Sequence, residues 1–178
     1  MRIIGLAGWS GSGKTTLVTH VIPVLVKRGL KIATVKHAHH DFDIDLPGKD
    51  SWQHRQAGAS EVVIVSSRRW AIVHELGEEP EPPLSEVLAK LSAVDLVIVE
   101  GFKRHAHPKL EVYRAAVGKP LLHTDDDCIV AIATDAPLPD AQVPVLNLND
   151  IDRIATVLNA EALPREQIGH ANASPDEA

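Results

Sequence analysis

The sequence has little cysteine, no long hydrophobic run and no excess of positive charge. Cys128 is its single cysteine, so no disulfide can form within the chain. No apolar run approaches the roughly 20 residues that a membrane-spanning helix needs, and the first residues lack the basic, apolar and small-residue sections of a signal peptide. The formal net charge of -6 argues against a general nucleic-acid-binding protein. We therefore expect a cytoplasmic protein that neither enters a membrane nor binds nucleic acid.

The length and composition predict one folded domain. A chain of 178 residues with 44% hydrophobic and 24% charged residues can bury a sizeable core. We assign the domain to residues 1–160. Residues 161–178 have no sustained apolar period and contain Pro164, Gly169 and Pro175, so we expect a disordered tail there.

A strand, a glycine-rich loop and a helix open the chain. Residues 2–7 form a short apolar run, and residues 14–28 carry apolar side chains at a helical period that stops at Gly29. Residues 31–35 then resume a strand pattern. The first 35 residues therefore predict a β-α-β unit with the loop between its first strand and its helix.

The rest of the chain continues to alternate strand and helix patterns. The close spacing of the strands predicted at 61–65 and 69–73 indicates an antiparallel hairpin, and the all-apolar strand at 95–99 is typical of one covered on both faces. Further strands are predicted at 110–113, 129–133 and 144–147, and further helices at 51–57, 84–91 and 151–158. The predicted fold class is α/β, with a mainly parallel sheet, helices on both faces and an added antiparallel hairpin.

The loop "GWSGSGKT", residues 8–15, has the full spacing of a phosphate-binding P-loop, so the predicted α/β fold is that of a P-loop NTPase. Its glycines let successive backbone N–H groups face the phosphates, and the following helix adds the positive end of its dipole. Lys14 would neutralise the β- and γ-phosphates, and the hydroxyl of Thr15 would bind magnesium. The candidate nucleotide-binding residues of the loop itself are Gly11, Ser12, Gly13 and Lys14.

Glu100 is the candidate partner of Thr15 at the magnesium ion. It follows the apolar run 96–99, so it should emerge at the carboxyl end of a buried strand. There it could bind magnesium through water or orient the attacking water. A solvated acid at a strand end is the other interpretation of the same pattern.

The segment 36–45, "KHAHHDFDID", combines histidines and acids in one predicted loop. Zinc or nickel could bind there, but the spacing matches no closed zinc site and no cysteine lies nearby. Charge pairing of Lys36 and His37 with a nucleotide or a phosphorylated ligand is the preferred interpretation. Asp43 is a candidate magnesium- or water-orienting residue, although a solvated loop acid is equally consistent.

A second basic segment, 103–109, follows Gly101 closely. It could bind an anionic second ligand such as a pterin phosphate. A solvated basic loop is an equally good interpretation on composition alone.

Asp135 is the candidate residue for reading the base. It follows the strand predicted at 129–133 and precedes Pro137, so it should lie on a stiff loop at the carboxyl edge of the sheet, where nucleotides bind. A carboxylate there could accept the N1–H and N2 amino hydrogens of guanine, whereas adenine presents an acceptor at N1. A turn acid without that role is the alternative.

Four segments of the chain are distinctive together, namely "GWSGSGKTTL", "KHAHHDFDID", "GKDSWQHRQAGA" and "VDLVIVEGFK". They resemble the MobB family of molybdopterin-guanine dinucleotide biosynthesis accessory proteins, and the likeness covers roughly residues 1–160. It implies a GTP-binding P-loop protein, at best a slow GTPase, that works beside the guanylyltransferase MobA and forms a homodimer. That partner joins GMP from GTP to molybdopterin. The resemblance places the phosphate-binding motif on Gly11, Gly13, Lys14, Thr15 and Thr16 and the strand-end acid on Glu100.

Two other functions stay open on the sequence. A small-molecule kinase or ligase could use the same loop, but it would need a general base beside an acceptor group. The sequence identifies no residue for that role. A nickel-delivery GTPase is suggested only by the histidine content, and the histidines cluster only at residues 37–40.

Overall fold

The computed structural model describes residues 1–38, 42–102 and 105–168 of the chain. It divides into two compact units, one formed by Met1–His37 with Leu84–Ala178 and the other by Ala38–Pro83. Within the described residues, no helix combines the length and apolar composition that crossing a bilayer requires.

The described part of the larger unit contains seven strands in one sheet and three α-helices. Its strands are β1 (Arg2–Ala7), β2 (Ile32–Lys36), β5 (Leu96–Glu100), β6 (Lys109–Tyr113), β7 (Ile129–Thr134), β8 (Val145–Asn147) and β9 (Leu163–Pro164). Its helices are α1 (Lys14–Lys27), α3 (Leu84–Lys90) and α4 (Ile151–Glu161). Six strands are parallel in the order β2-β5-β1-β6-β7-β8, and the two-residue strand β9 pairs antiparallel with the start of β1.

Alternating side chains of the central strands supply two cores, one on each face of the sheet. On one face, Ile4 and Ile98 pack against buried side chains of α1 and α4, namely Leu17, Val21, Leu25, Ile154 and Leu158. On the other face, Ile3 and Val97 pack against Leu84 and Leu88 of α3. Each such fully buried aliphatic side chain contributes about 1.5–3 kcal/mol through the hydrophobic effect. Helices therefore cover both faces, as the apolar run of β5 predicts.

The ends of α1 and α4 follow from their local sequences. Gly29 adopts a left-handed conformation with φ 87°, and the N–H of Leu30 bonds to the carbonyl of Leu25 at 3.2 Å, which closes the last turn of α1. The carboxylate of Asp150 accepts from the N–H of Arg153 at 3.0 Å and caps α4.

The smaller unit contains α2 (Asp50–Gln56) and a hairpin of β3 (Glu61–Val65) and β4 (Trp70–His74). The two strands pair antiparallel, with Val63 opposite Ile72 and Val65 opposite Trp70. The N–H of Ser66 donates to the carbonyl of Arg69 at 2.8 Å and closes the turn. The hairpin predicted from the close spacing of the two strands is thus confirmed.

The predicted fold class is confirmed by this architecture, whereas the carboxyl-terminal segment contains more structure than its composition suggests. Helix α4 ends at Glu161, so the predicted domain boundary at residue 160 falls within its last turn. Beyond it, Leu163 pairs with Ile3 in β9 and a single 3-10 turn spans Arg165–Gln167. Residues 169–178 of the predicted tail lie outside the described part of the chain.

Candidate functional site

The loop between β1 and α1 has the backbone conformation that a phosphate cradle needs. Gly8 has φ 142°, and a Cβ at this position would lie 2.5 Å from the carbonyl oxygen of Val112 and 2.8 Å from Ser12 Oγ. Only glycine fits there. Gly13, with φ 94°, precedes α1 without a side-chain cap, so the first N–H groups of the helix keep their capacity to donate to an anion.

The polar side chains of the loop fit a phosphate ligand. Lys14 Nζ donates to the carbonyl oxygens of Gly8 at 2.8 Å and Trp9 at 3.1 Å, so its charge lies across the mouth of the loop. Ser12 Oγ is buried and has no hydrogen-bond partner among the described residues, and a phosphate oxygen would satisfy such a donor. Thr15 and Thr16 are exposed on the first turn of α1.

Glu100 lies at the same edge of the sheet as the loop. It ends β5, the strand next to β1, where it is in register with Leu6 on one side and Lys36 on the other. The residue is half-buried. Carboxylate and hydroxyl oxygens are ligands that Mg²⁺ accepts, so Glu100 and Thr15 are the described residues that fit such an ion beside bound phosphates.

His37 is fixed against the turn that follows β5. Its N–H donates to the carbonyl of Glu100 at 2.8 Å, and its ring lies 4.9 Å from that of Phe102, centroid to centroid. A Cβ at Gly101 would lie 2.5 Å from His37 Cβ, so glycine is required for this close approach. Lys36, the last residue of β2, is exposed at the same edge.

Part of the histidine segment lies outside the described residues, namely His39, His40 and Asp41. Among the residues that the structure describes, no group of three or more histidine, cysteine, aspartate or glutamate side chains could hold a metal ion. The described part of this segment therefore adds nothing in favour of nickel delivery.

Asp43 belongs to the smaller unit and contacts an arginine there. Its Oδ1 accepts from Arg55 at 2.7 Å and from the N–H of Asp45 at 2.9 Å. The hydrogen bond from the Asp45 N–H and then that from Arg55 hold the pKa of Asp43 below its usual range. Arg55 also donates to Glu75 at 2.7 Å. The contacts of Asp43 are thus those of a residue that orders its own loop, and its role toward water or magnesium stays a prediction.

Asp135 lines an open pocket at the carboxyl ends of β7 and β8. The pocket has a volume of about 320 Å³ and also includes Thr134, Pro137, Asn147 and Asn149 in its lining. Asp135 Oδ2 accepts from Arg114 at 2.7 Å. The residue predicted to read the base thus lies at a concave site, on the same edge of the sheet as the P-loop.

Sequence reasoning missed three contacts that surround the P-loop. Arg114, the residue after β6, donates through Nε to the carbonyl of Ser12 at 3.2 Å. Trp9 Nε1 donates to the carbonyl of Pro120 at 2.8 Å, and Lys119 Nζ lies 5.7 Å from the centre of the Trp9 ring. None of these contacts belongs to a motif, and all three join segments that are distant in the sequence, so no local pattern could have revealed them.

Both interpretations of residues 103–109, a basic surface for an anionic ligand and a solvated basic loop, are wrong at the end of the segment. His107 and Lys109 are each 2% exposed, and Lys109 Nζ forms a 2.8 Å ion pair with Asp126. Lys109 begins β6 in register with Gly5 of β1, inside the sheet, so its charge is neutralised within the fold. Lys103 and Arg104 lie outside the described residues.

Comparison with known proteins identifies the family that the chain resembles in sequence. The family model of MobB, the molybdopterin guanine dinucleotide synthesis protein B, matches residues 3–135. The molybdopterin-guanine dinucleotide biosynthesis adapter protein of Escherichia coli is 39% identical over 156 residues, covering 86% of this chain and 89% of that protein. The corresponding protein of Haemophilus influenzae is 40% identical, covering 86% of this chain and 85% of that one.

Solved structures lead to the same family. A crystal structure of molybdopterin-guanine biosynthesis protein B superposes with a TM-score of 0.71 at 30% identity, covering 89% of this chain and 98% of that chain. The MobB homologue of Bacillus stearothermophilus superposes with a TM-score of 0.64 at 25% identity, covering 90% and 97%. The strand order, the P-loop and these similarities agree, and the chain belongs to the MobB family.

Proposed function

We propose that this chain is a GTP-binding adapter in molybdopterin guanine dinucleotide biosynthesis, which assists the guanylyltransferase that joins GMP from GTP to molybdopterin. One observation supports nucleotide binding above all. The P-loop at the end of β1 lies between Glu100 on one neighbouring strand and Arg114 after the other, where the register aligns the carboxyl ends of the strands. This is the crevice in which open α/β sheets bind their ligands.

The triphosphate would bind at the P-loop, from residue 8 to residue 16. Backbone N–H groups and Lys14 would neutralise the phosphate oxygens, and the buried hydroxyl of Ser12 would donate to one of them. Mg²⁺ would supply charge neutralisation between the phosphates when bound. Thr15 and Glu100 are the residues that would hold it.

The guanine base would occupy the pocket beside Asp135. The pocket reaches Asn147 and Asn149 at the end of β8 and on the loop that follows, so amide groups are also available to a base with both donors and acceptors. A carboxylate favours guanine over adenine because it accepts from N1–H and the N2 amino group together. We therefore assign GTP rather than ATP as the ligand.

Hydrolysis in this site would be slow. Of the two candidate catalytic acids, Asp43 is held by Arg55 at 2.7 Å, and its pKa is lowered by the hydrogen bonds from the Asp45 N–H and Arg55. A carboxylate with a lowered pKa is a weak general base at neutral pH. Glu100 is left as the residue that would orient a water molecule, a role that fits at most a weak GTPase.

The partners we propose are the MobA-like guanylyltransferase, molybdopterin or its molybdenum form, and a second copy of this chain. The two relatives described above are named adapter proteins of this pathway, which favours a role through association. The hairpin supplies a surface for the second copy. Its apolar face, defined by Val63, Val65, Trp70 and Ile72, is exposed, and such faces mark protein contacts.

Titration of nucleotide into the purified chain tests the proposal. In the presence of Mg²⁺ we expect GTP to bind more tightly than ATP, and we expect Lys14→Ala to weaken GTP binding by about a hundredfold because the loop loses a charged donor to the phosphates. Lys27→Ala removes an exposed charge from the last turn of the same helix and serves as the matched control. An unchanged GTP dissociation constant in Lys14→Ala, with binding still saturable, would rule out the P-loop as the site.

A further inference from the structure

Arg114 contacts both the P-loop and the acid at the pocket beside β7. Its Nε donates to the carbonyl of Ser12 at 3.2 Å, and its Nη1 donates to Asp135 Oδ2 at 2.7 Å. One guanidinium group therefore spans from the loop proposed to bind the phosphates to the carboxylate proposed to read the base.

The position of the guanidinium group is constrained from several sides. The backbone of Arg114 is extended, with φ -131° and ψ 124°, and continues the direction of β6 into the 3-10 turn Ala115–Val117. A Cβ at Gly13 would lie 3.4 Å from Arg114 Nε, so the group packs against the backbone at the start of α1. The Arg114 and Asp135 side chains are 38% and 35% exposed, which leaves the pair partly shielded from water.

A guanidinium group is suited to fix the separation of two acceptors. Its donors lie in one plane at fixed angles, so binding the Ser12 carbonyl with one edge determines where the other donor points. The base and the phosphates of a nucleotide are joined covalently. A site that recognises both must therefore hold the residue that contacts the base at a set distance from the P-loop.

The ion pair leaves Asp135 able to contact a base. A carboxylate has about four acceptor positions on its two oxygens, and Arg114 occupies one of them on Oδ2. The remaining positions can accept from the two adjacent donors of guanine. The contact with Arg114 thus orients the carboxylate without consuming its capacity to accept.

We propose that Arg114 is the positioning residue for base selectivity, which holds the carboxylate of Asp135 in register with the P-loop. This inference rests on the proposed GTP-binding function. In this role Arg114 acts through Asp135 and contributes less to holding the phosphates than to the choice between guanine and adenine.

The test compares binding of GTP, ATP and inorganic tripolyphosphate to four proteins in the presence of Mg²⁺. These are the wild type, Arg114→Ala, Arg114→Lys and the control Arg28→Ala, which removes an arginine that pairs with Asp152 at 3.2 Å between α1 and α4. We expect Arg114→Ala to lower the preference for GTP over ATP about tenfold. Arg114→Lys keeps the charge but loses the planar set of guanidinium donors. We therefore expect this variant to lose most of the preference for GTP over ATP and to retain tripolyphosphate binding. Arg28→Ala should leave the preference unchanged.

A double-mutant cycle with Asp135→Asn separates positioning from direct binding. If Arg114 acts through Asp135, Arg114→Ala should produce no further loss of preference in the Asp135→Asn background. Additive losses, or an equal loss of affinity for GTP, ATP and tripolyphosphate in Arg114→Ala, would overturn the proposal and make Arg114 a phosphate ligand. A thermal unfolding curve for each variant confirms that the proteins compared are folded.

The outcomes distinguish this inference from the function on which it rests. If the wild-type chain prefers GTP over ATP and the Arg114→Ala variant prefers it to the same degree, the positioning role alone is contradicted. A wild-type chain that bound GTP and ATP equally would contradict both the guanine assignment and the role of Arg114.

Discussion

At the scale of single residues, a buried histidine stands beside the strand that leads into the P-loop. His107 packs on β1 so closely that a Cβ at Gly5 would lie 2.4 Å from its Nε2. Neither ring nitrogen of His107 has a hydrogen-bond partner among the described residues. Burial, with the nearby charges of Lys109 and His105, lowers its pKa to about 4, while the charge of Asp126 acts in the opposite direction.

The lowered pKa of His107 predicts a loss of stability in mild acid. The unfolded chain binds a proton at this histidine near its ordinary pKa of 6.5, whereas the folded chain does so only near pH 4, so the free energy of unfolding falls as the pH falls between these values. Because of His107, we expect the free energy of unfolding at pH 5 to be about 2 kcal/mol lower than at a pH of about 7.5. Urea unfolding at both pH values measures the difference.

A matched pair of variants isolates this histidine from other titrating groups. His107→Gln carries no proton in this range, so its stability should change less between neutral pH and mild acid than that of the wild type. His20→Gln alters an exposed histidine on α1 and should retain the wild-type dependence. Equal pH dependence in all three proteins would show that His107 is not the group responsible.

At the scale of elements, the hairpin of β3 and β4 carries an unusual exposed surface. The apolar hairpin face consists of directly opposed pairs, Val63 with Ile72 and Val65 with Trp70, and these four side chains are 57%, 48%, 73% and 61% exposed in that order. A two-stranded ribbon is marginally stable by itself, and the same face on a second copy would match it by two-fold symmetry.

We therefore expect the double variant Val65→Thr with Trp70→Thr to be monomeric where the wild type is dimeric. Threonine keeps the strand preference of both positions but removes apolar surface from the proposed contact. Sedimentation velocity at several concentrations measures the change, and we expect the dimer dissociation constant to rise at least about a hundredfold. Val26→Thr, which alters an exposed valine of α1, is the control. A monomeric wild type, or a double variant that dimerises as well as the wild type, would contradict this use of the face.

Elements with strong local patterns are predictable, whereas short elements are not. The β1-α1-β2 unit and the hairpin follow from apolar periodicity and from Gly29, and their observed bounds differ from the predicted ones by a residue or so. Strand β9 has two residues, and its pairing of Leu163 with Ile3 joins segments that are distant in the sequence. Such a strand has no period of its own, so only the assembled sheet determines it.

At the scale of the whole molecule, the sheet order decides which residues lie near the P-loop. The positions of Glu100 and Asp135 at the carboxyl edge of the sheet are predictable, because each residue follows an apolar run typical of a buried strand. The position of Arg114 beside the P-loop is not predictable, because its contacts with Ser12 and Asp135 require β6 to lie between β1 and β7. His107 follows a basic run in the sequence, and only its packing against β1 shows that it is buried.

The central claim, that this chain binds GTP in order to assist a guanylyltransferase, is tested most directly by one rate measurement. Purified molybdopterin guanylyltransferase is supplied with molybdopterin and limiting GTP, and formation of the guanine dinucleotide is followed with and without this chain. We predict that the wild-type chain raises the rate and that the Lys14→Ala variant does not, because the variant lacks the phosphate-binding charge. A rate that the wild-type chain leaves unchanged, or that Lys14→Ala raises equally, would contradict the account.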